Sequence, residues 1–342
     1  MNGSKLQEML DYIDANPISI NAIVIVRRGF IVLEQYYSFY NENTTSNIFS
    51  CTKSITSTAV GLAIEHGFLD NVSQKVLDFF PNRTIENLDS WKESITIEDL
   101  LTMQAGFDWD DSSSSGMSEY NQMIVSDNWV QFVLDRPMAN TPGTIFNYNS
   151  GASHLLSAIV QNATGMKCED FVQEYLYEPL GISRFTWSED PHDISIGGNT
   201  IQLSAKDMAR FGYLFLREGN WNGEQVISAD WVSAATSTHT LVGGGTTYGY
   251  QWWITPSRES YSARGYAGQF IFVVPEYDLV VVFKATSGWN NIALQEWIIP
   301  SLQSSANTAT TTGFPDYSTL AAGVVFIVIP LAFGIAYFKR KN

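Results

Sequence analysis

Ser50-Cys51-Thr52-Lys53, at the start of an apolar run, is the stretch of this chain best suited to chemistry. On a helix, residues three apart share one face, so the Ser50 hydroxyl and the Lys53 amine can meet. A serine hydroxyl is a poor nucleophile until a neighbouring base takes its proton. Lysine becomes that base when burial or a nearby cation lowers its pKa. The N–H groups at a helix start also favour developing negative charge. Such a short pattern also arises by chance, often with its lysine in solvent. Here Lys53 is the only lysine with a serine three positions earlier, and Ile55, Ala59, Val60 and Leu62 beside it read as a buried helix. The chemistry expected is attack by Ser50 on a carbonyl, with Lys53 as proton acceptor.

A second stretch, Pro142-Gly143-Thr144-Ile145-Phe146-Asn147-Tyr148-Asn149-Ser150-Gly151, leads into another apolar helix. Taken alone, Tyr148 is an ordinary half-buried tyrosine. Beside Ser50 and Lys53 it becomes a candidate to relay a proton between serine, lysine and leaving group.

With these two elements the sequence resembles the serine β-lactamase-related family of class C β-lactamases, D,D-peptidases, esterases and 6-aminohexanoate-oligomer amidases. The family pattern is Ser-x-x-Lys, then Tyr-x-Asn or Tyr-x-Ser, then Lys-Thr-Gly or a substitute on a sheet-edge strand. Ser50 to Lys53 and Tyr148-Asn149-Ser150 match the first two, and the third falls at Ala263-Arg264-Gly265-Tyr266-Ala267-Gly268-Gln269. Residues 197–212, 220–232 and 248–253 also resemble the family, so the similarity spans roughly residues 5–300.

The resemblance implies catalysis by Ser50, Lys53 and Tyr148, with an oxyanion hole made by the backbone N–H groups of Ser50 and Tyr266. It implies that Gly265 lets the substrate carbonyl lie close to the strand. Ser150 lines the site, and Gln269 is either a substrate contact or a strand-end turn residue. No metal or cofactor is implied. Ala263 stands where the family has lysine, and Ser150 where the penicillin-recognising form has asparagine. Both changes favour the esterase and amidase branch, acting on a small or peptide-like ester or amide. A D,D-peptidase or β-lactamase is the alternative. Arg264 adjoins Ala263, but neighbouring strand residues face opposite sides. A non-catalytic binding protein retaining the fold is a reading from another class; loss of Ser50, Lys53 or Tyr148 would mark it, and all three are present.

The elements that must position these residues fall into three blocks. A helical period (Leu6, Met9, Leu10, Ile13) precedes two β-rich runs, 22–27 and 30–37, joined at Arg28-Gly29 as a hairpin. Helices are expected at 52–66, 96–105, 129–135, 151–163, 168–177, 204–218 and 228–236, with a surface loop at Ser112 to Ser118. After about residue 247 come strands at 250–254, 261–264, 270–274 and 279–285, then an amphipathic helix at about 290–299. The expectation is an α+β fold of the β-lactamase/transpeptidase kind: one antiparallel sheet from both chain ends, flanked by helices, with a helical insertion between.

The chain has 342 residues, 45% hydrophobic, enough for one large core, and its net charge of −16 argues against a phosphate-tracking nucleic-acid surface. Cys51 and Cys168 form no disulfide framework, the four histidines have no metal-ligand spacing, and neither a G-x-S-x-G elbow nor a Walker pattern occurs. The hydrolase domain is expected at 1–300. A Ser/Thr-rich stalk (301–318), an apolar run long enough to span a bilayer (319–338) and a basic tail (339–342) follow. The expected anchor is thus a single C-terminal transmembrane helix. Basic residues after it, and N-x-[ST] triplets at Asn43, Asn71, Asn82 and Asn162, favour an extracytoplasmic domain, although the N-terminus shows no signal-peptide core.

Overall fold

The sheet begins where β-branched residues flank a two-residue turn. Ile20–Arg27 (β1) and Phe30–Tyr36 (β2) pair antiparallel across Arg28-Gly29. Both turn residues have positive φ, 51° and 79°, as a type I′ hairpin requires. β1 alternates between two cores, Ala22, Val24 and Val26 facing one and Ile23 and Ile25 the other. A strand buried on both faces therefore reads as an unbroken apolar run.

The computed structural model describes residues 1–16, 18–111, 118–286 and 293–303. The remaining strands of the sheet come from the far end of the chain. They are Thr240–Gly243 (β3), Thr246–Tyr248 (β4), Trp253–Thr255 (β5), Ser260–Gly265 (β6), Gln269–Val274 (β7) and Leu279–Ala285 (β8). Among the described residues the sheet order is β2-β1-β8-β7-β6-β5-β4-β3, antiparallel throughout. β8 lies against β1 with Arg27 opposite Leu279, so early and late strands of the sequence join in one sheet, as expected.

One face is covered by Gly3–Ala15 (α1), through Leu6, Met9 and Ile13, and by a C-terminal helical stretch carrying Leu294, Ile298 and Leu302. The other carries the helical insertion, including Thr52–Glu65 (α2), Ser150–Thr164 (α3) and Ala205–Leu216 (α4). α2 is buried from Thr52 to Ala63 although half of those residues are polar. Buried hydroxyls are stabilised by partners, and three of those on α2 donate to carbonyls. Ser54 donates to the Gln251 carbonyl (2.8 Å), Thr56 to the Gly197 carbonyl (2.9 Å) and Thr58 back to Ser54 (2.8 Å). These bonds tie α2 to the two segments that flank its N-terminal end.

Several expected elements shift. The strand read at 250–254 is confined to Trp253–Thr255, because Gln251 takes a positive φ (62°) and gives its N–H to the Leu101 carbonyl. The sheet also starts earlier: Gly243, Gly244 and Gly245, all at positive φ, turn β3 into β4. The helix read at 96–105 stops at Leu101, before Met103 at φ 60°. Short helices Ser90–Ser94 and Glu119–Val125 were not expected. Of the loop read at Ser112 to Ser118, residues 112–117 lie outside the described residues. Ser118 caps Glu119–Val125 by accepting from the Asn121 N–H.

The helix Ile299–Gln303 runs three residues into the segment read as a stalk. Ser301 and Leu302 are buried, and the Ser301 carbonyl accepts from the Asn2 N–H at 2.8 Å, so domain packing reaches Leu302. Among the described residues no helix is long and apolar enough to cross a membrane. The apolar run 319–338, the basic tail and the rest of the stalk lie outside the described residues.

Candidate active site

Ser50 sits in a 3₁₀ turn, Phe49–Cys51, that runs directly into α2. Phe49 has φ 48°, an uncommon conformation for a bulky residue. Its N–H is held by Asn47 Oδ1 at 2.7 Å. No side chain caps α2; the preceding turn does so instead, with the Thr52 N–H given to the Phe49 carbonyl and the Cys51 N–H to the Ile48 carbonyl.

One turn on, Lys53 is 1% exposed and its Nζ has three oxygen partners: Ser50 Oγ at 3.2 Å, Ser150 Oγ at 3.0 Å and the Gly198 carbonyl at 2.8 Å. Burial pushes the amine down to about 8, while the negative charge of Asp111 and the Cys51 thiol oppose the fall. Near neutral pH the amine is poised between donor and base, as a proton acceptor for serine must be.

Tyr148 and Ser150 arrive on the turn into α3, where Asn149 Oδ1 caps the helix by accepting from the Ala152 N–H at 2.8 Å. The Tyr148 ring centre is 4.8 Å from Lys53 Nζ, and the ring stacks on Trp253 at 5.8 Å. Burial pushes the phenol well above its usual range, and its hydrogen bond with Ser50 offsets this only in part. Tyr148 is thus a neutral hydroxyl, able to pass a proton on, whereas the lowered amine of Lys53 is the better fitted of the two to accept one.

The Ser150 hydroxyl donates to Asp111 Oδ2 at 2.7 Å, and its backbone N–H donates to Oδ1 at 2.9 Å. Trp109 Nε1 donates to the same Oδ1 at 2.7 Å. Nothing in the sequence spacing pointed to Asp111, which lies on an irregular segment brought to the site only by the fold. The Gly198 carbonyl was equally hidden, being a backbone atom within a stretch noted for resemblance alone.

The third motif lies across the cleft. Tyr266 follows β6 and sets its ring edge-to-face on Phe49 at 5.5 Å. A cleft beside Ser50 is lined by Phe49, Tyr266, Ser150, Asp111, Tyr120 and Asn199, with Asn199 Nδ2 donating to the Tyr120 hydroxyl at 2.7 Å. Close packing of backbone requires a glycine at Gly265. A Cβ there would stand 2.3 Å from the Ile48 carbonyl, so its missing side chain admits the backbone that carries Ser50. Gln269 is a strand-end residue. It is 4% exposed and its Nε2 donates to the Ala285 carbonyl at 2.6 Å, which holds it in the sheet and out of the cleft. Ala263 faces the core, 1% exposed. Arg264 instead lies over Trp253, 5.3 Å from the ring centre, with Nε donating to Ser262 Oγ at 2.9 Å.

Residues 21–291 match the family model described as beta-lactamase. The 6-aminohexanoate-dimer hydrolase of Paenarthrobacter ureafaciens is 25% identical over 300 residues, covering 81% of this chain and 74% of its own. Two solved structures share the fold. EstCE1, a hydrolase with promiscuous acyltransferase activity, superposes with TM-score 0.72 and 15% identity over 89% of this chain and 97% of its own. The octameric penicillin-binding protein homologue from Pyrococcus abyssi gives 0.68 and 19% over 85% and 76%.

Proposed function

The chain belongs to the beta-lactamase family, and on that premise we propose that it is a serine hydrolase working through an acyl-enzyme on Ser50. The observation that carries this reading is Lys53: buried, 3.2 Å from Ser50 Oγ and lowered to about 8. As Ser50 Oγ bonds to the substrate carbonyl carbon, its proton passes to Lys53 and the carbonyl π electrons move to oxygen. The backbone N–H groups of Ser50 and Tyr266 are the proposed donors to that oxygen. Collapse breaks the bond to the leaving group, which takes the proton by way of Tyr148. Water then releases the acyl group by the reverse path.

An ester or amide is the proposed substrate class. The absence of a lysine at position 263 supports it, because no strand cation at that position holds a substrate carboxylate. The relatives include a 6-aminohexanoate-dimer hydrolase, and the fold is shared with the hydrolase EstCE1. One observation favours a D,D-peptidase or β-lactamase as a second reading: Arg264 stands over Trp253, which stacks on Tyr148, and so puts a cation near the site. We also propose that 319–338 anchors the protein in a membrane with the domain outside. Asn43, Asn71, Asn82 and Asn162, each in an N-x-[ST] triplet, are exposed, which suits that side.

The test is labelling with a serine-reactive fluorophosphonate, alongside turnover of a p-nitrophenyl ester. Wild type is expected to label and Ser50→Ala to do neither while melting normally, since a serine at a helix start becomes alanine at modest cost. Turnover surviving in Ser50→Ala would place the chemistry elsewhere.

A further inference from the structure

We propose that Asp111 is a positioning residue that orients the Ser150 hydroxyl and thereby aims the Lys53 lone pair at Ser50. This inference rests on the serine-hydrolase reading and concerns one hydrogen-bond direction within that site.

A neutral amine has two N–H donors and one lone pair, and Lys53 has three oxygen neighbours. Which neighbour meets the lone pair decides whether the amine can act as a base. The Gly198 carbonyl is an acceptor only and must take an N–H. Ser150 and Ser50 are both hydroxyls, so either could donate to the lone pair. Asp111 settles the choice. Its Oδ2 accepts the Ser150 hydroxyl proton at 2.7 Å, which leaves only the lone pairs of Ser150 Oγ for Lys53. The second N–H then goes to Ser150, and the lone pair is left to Ser50. The carboxylate is itself fixed, since its other oxygen accepts from the Ser150 N–H and from Trp109 Nε1.

The Asp111→Asn variant inverts one bond and keeps two. With the amide oxygen in the place of Oδ1, the bonds to the Ser150 N–H and to Trp109 survive. The amide nitrogen, in the place of Oδ2, must donate to Ser150 Oγ. The Ser150 proton then turns to the Lys53 lone pair and competes with Ser50 for it.

Three titratable groups face Lys53: Asp111 from its loop, Cys51 from the start of α2, and Tyr148 from the turn into α3. Removing the negative charge of Asp111 removes an influence that raises the amine's pKa, so the acid limb of the rate profile moves to lower pH while its plateau falls.

The experiment measures the pH profile of p-nitrophenyl ester acylation for wild type, Asp111→Asn, Ser150→Ala and the double variant, each checked by thermal melting. Asp111→Asn is expected to lower the plateau at least about tenfold, within the range a misplaced general base costs, and to move the acid limb below that of wild type. In the Ser150→Ala background there is no hydroxyl to orient, so Asp111→Asn should alter the plateau by less than about twofold while the limb still shifts. A plateau unchanged by Asp111→Asn, or an equal loss in both backgrounds, would overturn the positioning role and leave the serine-hydrolase reading standing. A wild type that is never acylated at Ser50 would overturn both.

Discussion

Replacing Lys53 by methionine tests whether burial has set up the base. Unfolded, the amine has the ordinary value of 10.5; folded, it falls to about 8, because a side chain 1% exposed has lost the water that would solvate its charge. Between those values the unfolded chain holds the proton more tightly than the folded one, so stability rises with pH. The Lys53 contribution is therefore lowest below pH 8, grows as pH climbs through about 8 and is complete only above 10.5. Integrated from about pH 7 to about pH 9.5, this amounts to about 2 kcal/mol gained by the wild type and not by the methionine variant. Other groups titrate over the same interval, notably Lys284, lowered to about 7, but they are common to both proteins and cancel in the difference. Urea unfolding of the two proteins at each pH gives that difference directly. Lys53→Met should also lose turnover at every pH. Parallel stability curves would show that the folded protein does not disfavour the Lys53 ammonium, and the argument for Lys53 as base would fall with its thermodynamic basis.

Gly265→Ala should lower stability by about 1–3 kcal/mol and reduce acylation together, read by melting and burst kinetics, because a Cβ would press on the Ile48 carbonyl next to Ser50. In kcat/KM, p-nitrophenyl butyrate should exceed a penicillin or cephalosporin by at least about 10–100-fold, the cost of one missing charged hydrogen bond. Efficient β-lactam turnover would assign the carboxylate contact to Arg264. A chain ending at Gln303 should melt with the full-length protein, whereas one ending at Ile298 should lose about 1.5–3 kcal/mol with the buried Leu302 side chain.

The sequence was legible where side-chain type and period carry the signal. β8 was read with its observed bounds, and α2 and the first hairpin to within two residues, because β-branched runs and unbroken apolar stretches have few other uses. Ser50, Lys53, Tyr148 and Ser150 meet as their motifs implied. What escaped is borne by backbone or by loops. The Gly198 carbonyl, as a backbone atom, has no letter of its own. Asp111 is 39 residues from its partner Ser150 with no repeat or period between them. Gln269 could be assigned only once the Ala285 carbonyl was seen beneath it. The triple glycine 243–245 reads as loop composition, and its role as a hairpin turn depends on strands too short to announce themselves.

The pairing of Arg27 with Leu279 has a bearing on how the protein is made. On a ribosome the first hairpin emerges early, and one edge of β1 waits unpaired while the whole helical insertion is synthesised. Contacts so distant in sequence form late and slowly. Meanwhile a bare edge carrying Ile23, Val24, Ile25 and Val26 invites association with other chains, a task for chaperones during synthesis. The site shares this delay. Gly265 must pass beneath Ile48 before Phe49 and Ser50 are held in place, so a nascent chain can carry Ser50 and Lys53 for most of its synthesis without being an enzyme. On the proposed mechanism, acylation at Ser50 would therefore signal completed folding, and a reactive probe added during translation would time the arrival of the last strands.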